Sequence, residues 1–383
     1  MLTVAAAKAQ FEAAGQGHVT ASLDSLPADE QAAFLVQLAT IDPEKVNVLF
    51  QRAISQVPTD AGAFEPLQHM ARLEGSGEER ARWRARGLEE IAKGRVGVLL
   101  LAGGQGTRLG YDHPKGMYDI GLPSAKSLFQ LQAERLLKVQ ALADGTGAAK
   151  IQWYVMTSPA TDAETKAYFE AQKFFGLQPE QVFFFCQGML PCISNEGKIM
   201  LQGKDSVAMA PDGNGGLYSA LDISGALKHM ADHGVEFVPQ YCVDNALVKI
   251  ADPVFVGYCA EEAADCAAKV INKTDPHEKV GVIILKDGQT SVVEYSELDK
   301  DTAEAQNEDG TLTYSACHLC INYFSRAFLV EAAATMVDKM PLHVAKKAIP
   351  FFDHDSATII TPTTPNGIKL ELFIFDTFPF SKK

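Results

Sequence analysis

Arg108 and Lys115 stand inside and just behind a glycine-rich run, Gly103-Gly-Gln-Gly-Thr-Arg-Leu-Gly110. Guanidinium and ammonium groups are the side chains that hold phosphate oxygens. Glycines let a backbone come close to a ligand and turn its N–H groups inward. Ahead of the run lie Val96, Val98, Leu99, Leu100 and Leu101. So continuous an apolar stretch reads as a strand buried on both faces. The whole reads as a strand feeding a polyphosphate cradle, against the plainer alternative of a glycine turn with no ligand. Two better-known loops are excluded by spacing. A dinucleotide fingerprint needs a third glycine where Leu109 stands, and a P-loop lysine would not sit between Pro114 and Gly116.

Further candidates lie downstream. Tyr241-Cys-Val-Asp-Asn245 puts Asp244 at the C-terminal end of a strand-like stretch, the edge where open α/β sheets bind ligands. An aspartate there can equally cap a helix. Met209-Ala-Pro-Asp-Gly-Asn-Gly-Gly216 is a turn-rich loop, and Pro365-Asn-Gly-Ile-Lys369 brings one more cation. No Ser-His-Asp arrangement is visible. His113, His229 and His343 have no partner pattern and read as structural or exposed.

These residues must be positioned by a folded core. The chain has 383 residues, 47% hydrophobic and 21% charged, as in a soluble globular protein with two domains or one large and one small. A net charge of −14 argues against general nucleic-acid or anionic-membrane binding. No apolar stretch approaches the ~20 residues of a membrane span. Met1-Leu-Thr-Val-Ala-Ala-Ala-Lys8 lacks the features of a signal peptide, so a cytoplasmic protein is expected. The seven cysteines read as reduced core thiols. Cys317-His-Leu-Cys320 has C-x-x-C spacing but no second ligand pair for zinc.

Residues 1 to about 95 read as helical, with apolar residues three and four apart at Phe34, Leu35, Leu38 and Ile41. The stretch 75–95 is expected to be the helix leading into the first core strand. From 96 onward strands and helices alternate. Strands are expected at Val96–Leu101, Ile151–Met156, Val182–Cys186 and Phe237–Val243. Helices are expected at Ser127–Leu142, Ala160–Phe175 and Gly216–His233. That order predicts an α/β fold with a mostly parallel sheet covered by helices. Val280–Leu285 and Ser291–Tyr295, around Asp287-Gly288, predict a hairpin. The aromatic end, Lys369 to Lys383, reads as a strand or helix entry.

Several long motifs carry a resemblance. They are Leu101-Ala-Gly-Gly-Gln-Gly-Thr-Arg-Leu-Gly110, Pro114-Lys-Gly-Met-Tyr-Asp119, Phe129-Gln-Leu-Gln-Ala-Glu-Arg135, Ala210-Pro-Asp-Gly-Asn-Gly-Gly216 and Val243-Asp-Asn-Ala-Leu-Val-Lys249. Together they resemble the eukaryotic UDP-N-acetylglucosamine pyrophosphorylases, which are UTP:sugar-1-phosphate uridylyltransferases. The resemblance implies a Rossmann-like nucleotidyltransferase core, a mixed sheet flanked by helices, over 96–383 behind an N-terminal helical region at 1–95. On this resemblance the family's C-terminal β-rich domain is expected to be absent. A UDP-sugar pyrophosphorylase family of broader specificity shares the core loop, and a nucleotide-sugar-binding form without activity is the other alternative.

The resemblance also implies roles. Leu101, Ala102, Gly103 and Gly104 would line the UTP site with backbone amides, and Arg108, Lys115 and Lys369 would hold phosphates. Gln187 and Gly213 would read the uracil edge. Asn214, Gly281, Glu294 and Tyr295 would meet the sugar. Asp244 would meet the nucleotide and its Mg2+, the one implied cofactor. The implied partners are UTP and a sugar 1-phosphate, with no nucleic acid and no membrane. Family members commonly carry Asn-Ala-Gly-Asn where this chain has Ser315-Ala-Cys-His318, so His318 stands where an asparagine would contact the sugar.

Overall fold

The computed structural model describes residues 2–55, 64–67, 70–71, 76–146 and 148–383. The chain forms two compact units, neither continuous in sequence.

The larger unit comprises 60–187, 217–340 and 374–383. Its nine-stranded sheet contains β1 (Phe64–Glu65), β2 (Gly97–Leu101), β3 (Gln152–Thr157), β4 (Val182–Cys186), β5 (Phe237–Cys242), β6 (Cys266–Asn272), β7 (Val282–Lys286), β8 (Gln289–Val293) and β9 (Ala316–Ser325). The order is β1-β7-β9-β5-β2-β3-β4, with β6 paired to β9 and β8 to β7. The strands β5, β2, β3 and β4 are parallel, and the rest join antiparallel. The α/β class with a parallel centre is as the alternation of elements predicts, and the hairpin is β7–β8. Every residue of β2 and β3 is buried, which explains their unbroken apolar character. The strand β9, ten residues long, has no counterpart among the expected strands. Its two cysteines, histidine and asparagine hide the alternation by which a strand is read.

Helices cover the sheet. Leu128–Asp144 starts where the Ser127 side chain accepts from the Gln130 amide and ends at Gly145 with φ of 70°. Its Phe129 packs edge to face on Phe169, 4.9 Å between centroids, above the fully buried Trp153. Each such aromatic contributes roughly 1.5–3 kcal/mol through burial. The helix expected over 216–233 is two, Leu217–Ile223 and Ala226–Asp232. Gly225, at φ of 77°, breaks it in a left-handed conformation open to glycine.

Gly77–Ala92, capped by a reciprocal Ser76–Glu79 box, crosses Pro253–Glu262 at two glycines. A Cβ on Gly257 would lie 1.8 Å from the Trp83 carbonyl oxygen, and one on Gly87 would lie 1.9 Å from the Pro253 carbonyl oxygen. Backbone cannot swing aside as a side chain does. Gly257→Ala should therefore cost about 2 kcal/mol or more, read as a drop in denaturant midpoint. An unchanged midpoint would show that the crossing is not close-packed.

The smaller unit comprises 1–59, 188–216 and 341–373. It holds helices Val4–Ala13, Ala28–Leu38 and Pro43–Ser55 and a three-stranded sheet of Ile193–Ser194, His343–Lys347 and Gly367–Glu371. The buried Gln16 side chain donates to the Gly197 carbonyl (2.9 Å) and to Asn47 (2.8 Å) and accepts from the Ile199 amide (3.0 Å). Gln37 pairs with both main-chain groups of Val207. Such bonds tie the first helices to segments far along the chain. The helical elements expected over 1–95 are thus divided between the units, while 56–63, 68–69 and 72–75 lie outside the described residues.

Candidate active site

The chain runs from β2 to β3 and β4 on one side and returns through β5 on the other. That reversal is the switch point at which open sheets bind ligands beyond the carboxyl ends of their strands. Leu101 and Cys242 are in register there. The Gly103–Gly110 loop leaves one strand, and Val243-Asp244 leaves the other.

The ladder continues past β2. Ala102 donates its amide to the Met156 carbonyl (2.7 Å), and Val243 donates to the Leu101 carbonyl (3.0 Å). The Ala102 amide, assigned above to the nucleotide, is therefore engaged within the sheet. The amides of Gly103 and Gly104 donate to no other group among the described residues, and they form the available part of the cradle. Ser158 Oγ donates to the Gly103 carbonyl (2.7 Å) and holds that turn. No sequence signal points to Ser158.

The loop folds back on itself. Lys115 donates its amide to the Gly104 carbonyl (3.1 Å), and Gly106 donates to the His113 carbonyl (2.9 Å). This brings the Lys115 ammonium back over the glycines, with Nζ 3.8 Å from where a Cβ on Gly104 would stand. The same Nζ lies 3.2 Å from Asp244 Oδ2. Gln187 joins from the end of β4. A Cβ on Gly103 would lie 2.6 Å from its side-chain oxygen. Gly103, Gly104, Lys115, Gln187 and Asp244 thus form one cluster. Arg108 stands exposed on the 3-10 turn Thr107–Leu109 with no ion pair among the described residues.

A second cluster lies around β7. His318 donates its amide to the Gly281 carbonyl (2.9 Å), and a Cβ on Gly281 would lie 3.2 Å from Glu294 Oε1. Tyr295, next along the chain, is exposed. The His318 ring meets Phe375 and Phe378 edge-on, and its Nε2 lies 3.0 Å from Asn322 Oδ1. Burial pushes its pKa below the usual histidine value despite that bond, so the ring is neutral at pH 7. With Nε2–H donated to Asn322, Nδ1 is left as an acceptor. Asn322 in turn donates to Gln240 (2.7 Å). His113 pairs with Glu164, His229 meets the Tyr154 hydroxyl, and His343 stacks on Phe373.

Gly213, Asn214 and Lys369 belong to the smaller unit. Gly213 adopts φ of 87° against the Leu372 backbone. Asp212, beside it, lies in the turn-rich loop 209–216. Its carboxyl is buried between Gly188 and Gly216, each of which would place a Cβ 2.1 Å from one of its oxygens. Oδ1 has no hydrogen-bond partner, and burial pushes the pKa up to about 6.

Among the described residues no group of three or more His, Cys, Asp or Glu could hold a metal ion. Asp244, with its side chain 58% exposed, is the carboxylate available for a hard cation that takes its other ligands from phosphates.

Residues 52–378 match the model of the family described as UTP--glucose-1-phosphate uridylyltransferase. The human UDP-N-acetylhexosamine pyrophosphorylase-like protein 1 is 44% identical over 98% of this chain and 76% of its own length. The UDP-N-acetylglucosamine pyrophosphorylase of Saccharomyces cerevisiae is 42% identical over 97% of this chain and 80% of its own. The crystal structure of the uridine diphosphate N-acetylglucosamine pyrophosphorylase from Trypanosoma brucei superposes with a TM-score of 0.84. It covers 98% of this chain and 75% of that one at 33% identity.

Proposed function

This chain belongs to the UTP--glucose-1-phosphate uridylyltransferase family, and from that premise we propose that it makes UDP-N-acetylglucosamine and pyrophosphate from UTP and N-acetylglucosamine 1-phosphate. The reading is supported above all by the cluster of Gly103, Gly104, Lys115, Gln187 and Asp244 at the sheet's switch point. A sugar-phosphate oxygen attacks the α-phosphorus of UTP. The new P–O bond forms as the bond to the β-phosphate oxygen breaks, and pyrophosphate leaves in line. Such transfers need positioning and neutralisation of charge more than a protein nucleophile. The Gly103 and Gly104 amides and Lys115 hold the phosphates, Arg108 adds its free cation, and Gln187 reads the uracil. The family resemblance gives Gly213 the uracil, Asn214 the sugar and Lys369 a phosphate. Gly281, Glu294, Tyr295 and His318 face the sugar, with His318 as a neutral acceptor.

Asp244 would hold Mg2+ together with phosphate oxygens, and the ion when bound neutralises charge on the triphosphate. Asp244→Asn should lower turnover about 10²-fold and raise the magnesium concentration needed for half-maximal rate. An unchanged magnesium dependence would remove Asp244 from that role. The seven free thiols suit a reducing compartment, and we place the reaction in the cytoplasm. The deciding assay is pyrophosphate release from UTP across a panel of sugar 1-phosphates. N-acetylglucosamine 1-phosphate should give the highest kcat/KM. A higher value for another sugar would redirect the substrate, and no release with any sugar would sink the enzyme reading.

A further inference from the structure

Cys242 ends β5 and Cys320 lies in the middle of β9, and their sulfurs are 3.3 Å apart. The two strands run antiparallel with Gln240 opposite Asn322. Carried two residues further, that register sets Cys242 directly opposite Cys320. Directly opposed residues in an antiparallel pair lie about 4.5–5.5 Å apart at Cα, inside the span a disulfide bridges. Both cysteines are half-buried free thiols.

The local backbone is unusual. Cys320 sits at φ of 53°, a left-handed conformation that disfavours a residue with a Cβ. The pairing of β9 with β6 slips at the same level, between Ala268 and Val270. Irregular strand backbone of this kind re-aims a side chain, and here it brings the Cys320 sulfur onto Cys242. The Gln240 amide donates to Cys320 Sγ at 3.8 Å, which links the pair to the Gln240–Asn322–His318 chain. On the other side, two residues past Cys242, stands Asp244 with its Lys115 partner.

We propose that Cys242 and Cys320 form a reversible disulfide that switches off the phosphate cluster, an inference whose functional half rests on the reading given above. Oxidised glutathione suffices as oxidant. One cysteine thiolate attacks its disulfide, forming a mixed disulfide and releasing one glutathione. The second thiolate then attacks the protein sulfur of that mixed disulfide, closing the Cys242–Cys320 bond and releasing the second. The two protein thiols are oxidised, the glutathione disulfide is reduced, and the two thiol protons end on the released glutathiones. Closure draws the sulfurs from 3.3 Å to about 2.05 Å. The end of β5 and the bulge of β9 must shift, and Asp244 and Lys115 move with the former.

The test is oxidation of the purified protein with oxidised glutathione, followed by peptide mapping without reduction and by UTP-binding and turnover assays. We expect a mass loss of about 2 Da, a linked peptide pair containing Cys242 and Cys320, and turnover reduced about tenfold or more. Dithiothreitol should restore turnover. Cys242→Ser and Cys320→Ser should each lack the linked peptides and keep their turnover under oxidant. Absence of the linked pair overturns the proposal, as does a pair that forms while turnover and UTP affinity stay unchanged. If the untreated protein has no turnover but the pair still forms and UTP affinity falls, the assigned reaction fails while the switch stands.

Discussion

Lys115→Ala is expected to lower kcat/KM for uridylyl transfer by about 10²–10³-fold while leaving the fold intact. The ammonium sits over Gly104 and is the cation that the fold brings to the two available glycine amides. Its removal takes away a charge that would oppose the one developing on the phosphates. It also leaves Asp244, now 3.2 Å from the ammonium, as an uncompensated negative charge beside them. The effect on stability should be small. The Asp244 side chain is 58% exposed, and exposed ion pairs contribute only about 0–1 kcal/mol. Lys115→Arg keeps the charge but replaces a compact ammonium by a planar fork, and should recover part of the loss. Steady-state kinetics alongside thermal unfolding separates the two effects. A change under threefold in kcat/KM, or a collapse of the thermal midpoint, would refute the assignment.

Asp212→Asn should stabilise the protein at pH 8 by up to about 3 kcal/mol and leave it unchanged near pH 4. The carboxyl is 9% exposed, lies between Gly188 and Gly216, and has one oxygen without a partner. Burial raises its pKa from 3.8 to about 6. Because the folded value lies above the unfolded one, the folded state holds the proton to higher pH. The stability associated with the neutral acid is complete below pH 3.8. It is lost as pH rises through about 6, above which the native state carries a buried charge. Asparagine has a similar shape and no charge, so the variant escapes that loss. Denaturant unfolding at pH 4 and pH 8 checks the prediction. A variant no more stable than the parent at pH 8 would refute it.

Much of the larger unit was legible along the chain. The strands β2 and β3 are short runs of mainly apolar residues, and burial on both faces leaves little choice of residue, while β4 and β5 are legible from their β-branched and aromatic content. The glycine loop was legible from its run of glycines and the cations beside it. A Cβ on Gly103 would lie 2.6 Å from the Gln187 side-chain oxygen, whereas one on Gly104 would make ordinary contact with Lys115, 3.6 Å away. Strand β9 was hidden because its partners set its residues more than a regular alternation does. His318, Asn322 and Cys320 answer to Phe375, Gln240 and Cys242, each far away in sequence.

By itself the sequence determined the α/β class, the strand that enters the phosphate loop, and the cations placed around it. These rest on local chemistry: apolar runs, glycine conformational freedom and the charge of two side chains. Tertiary structure alone decided that Lys115 faces Asp244 and that the Ala102 amide belongs to the ladder. It also decided that the first helices join segments near 197 and 207 and that two cysteines 78 positions apart meet. The physical reason is that a contact between distant residues depends on strand register and chain crossing. Those are settled by packing of the whole core, and no stretch of sequence read in isolation contains them.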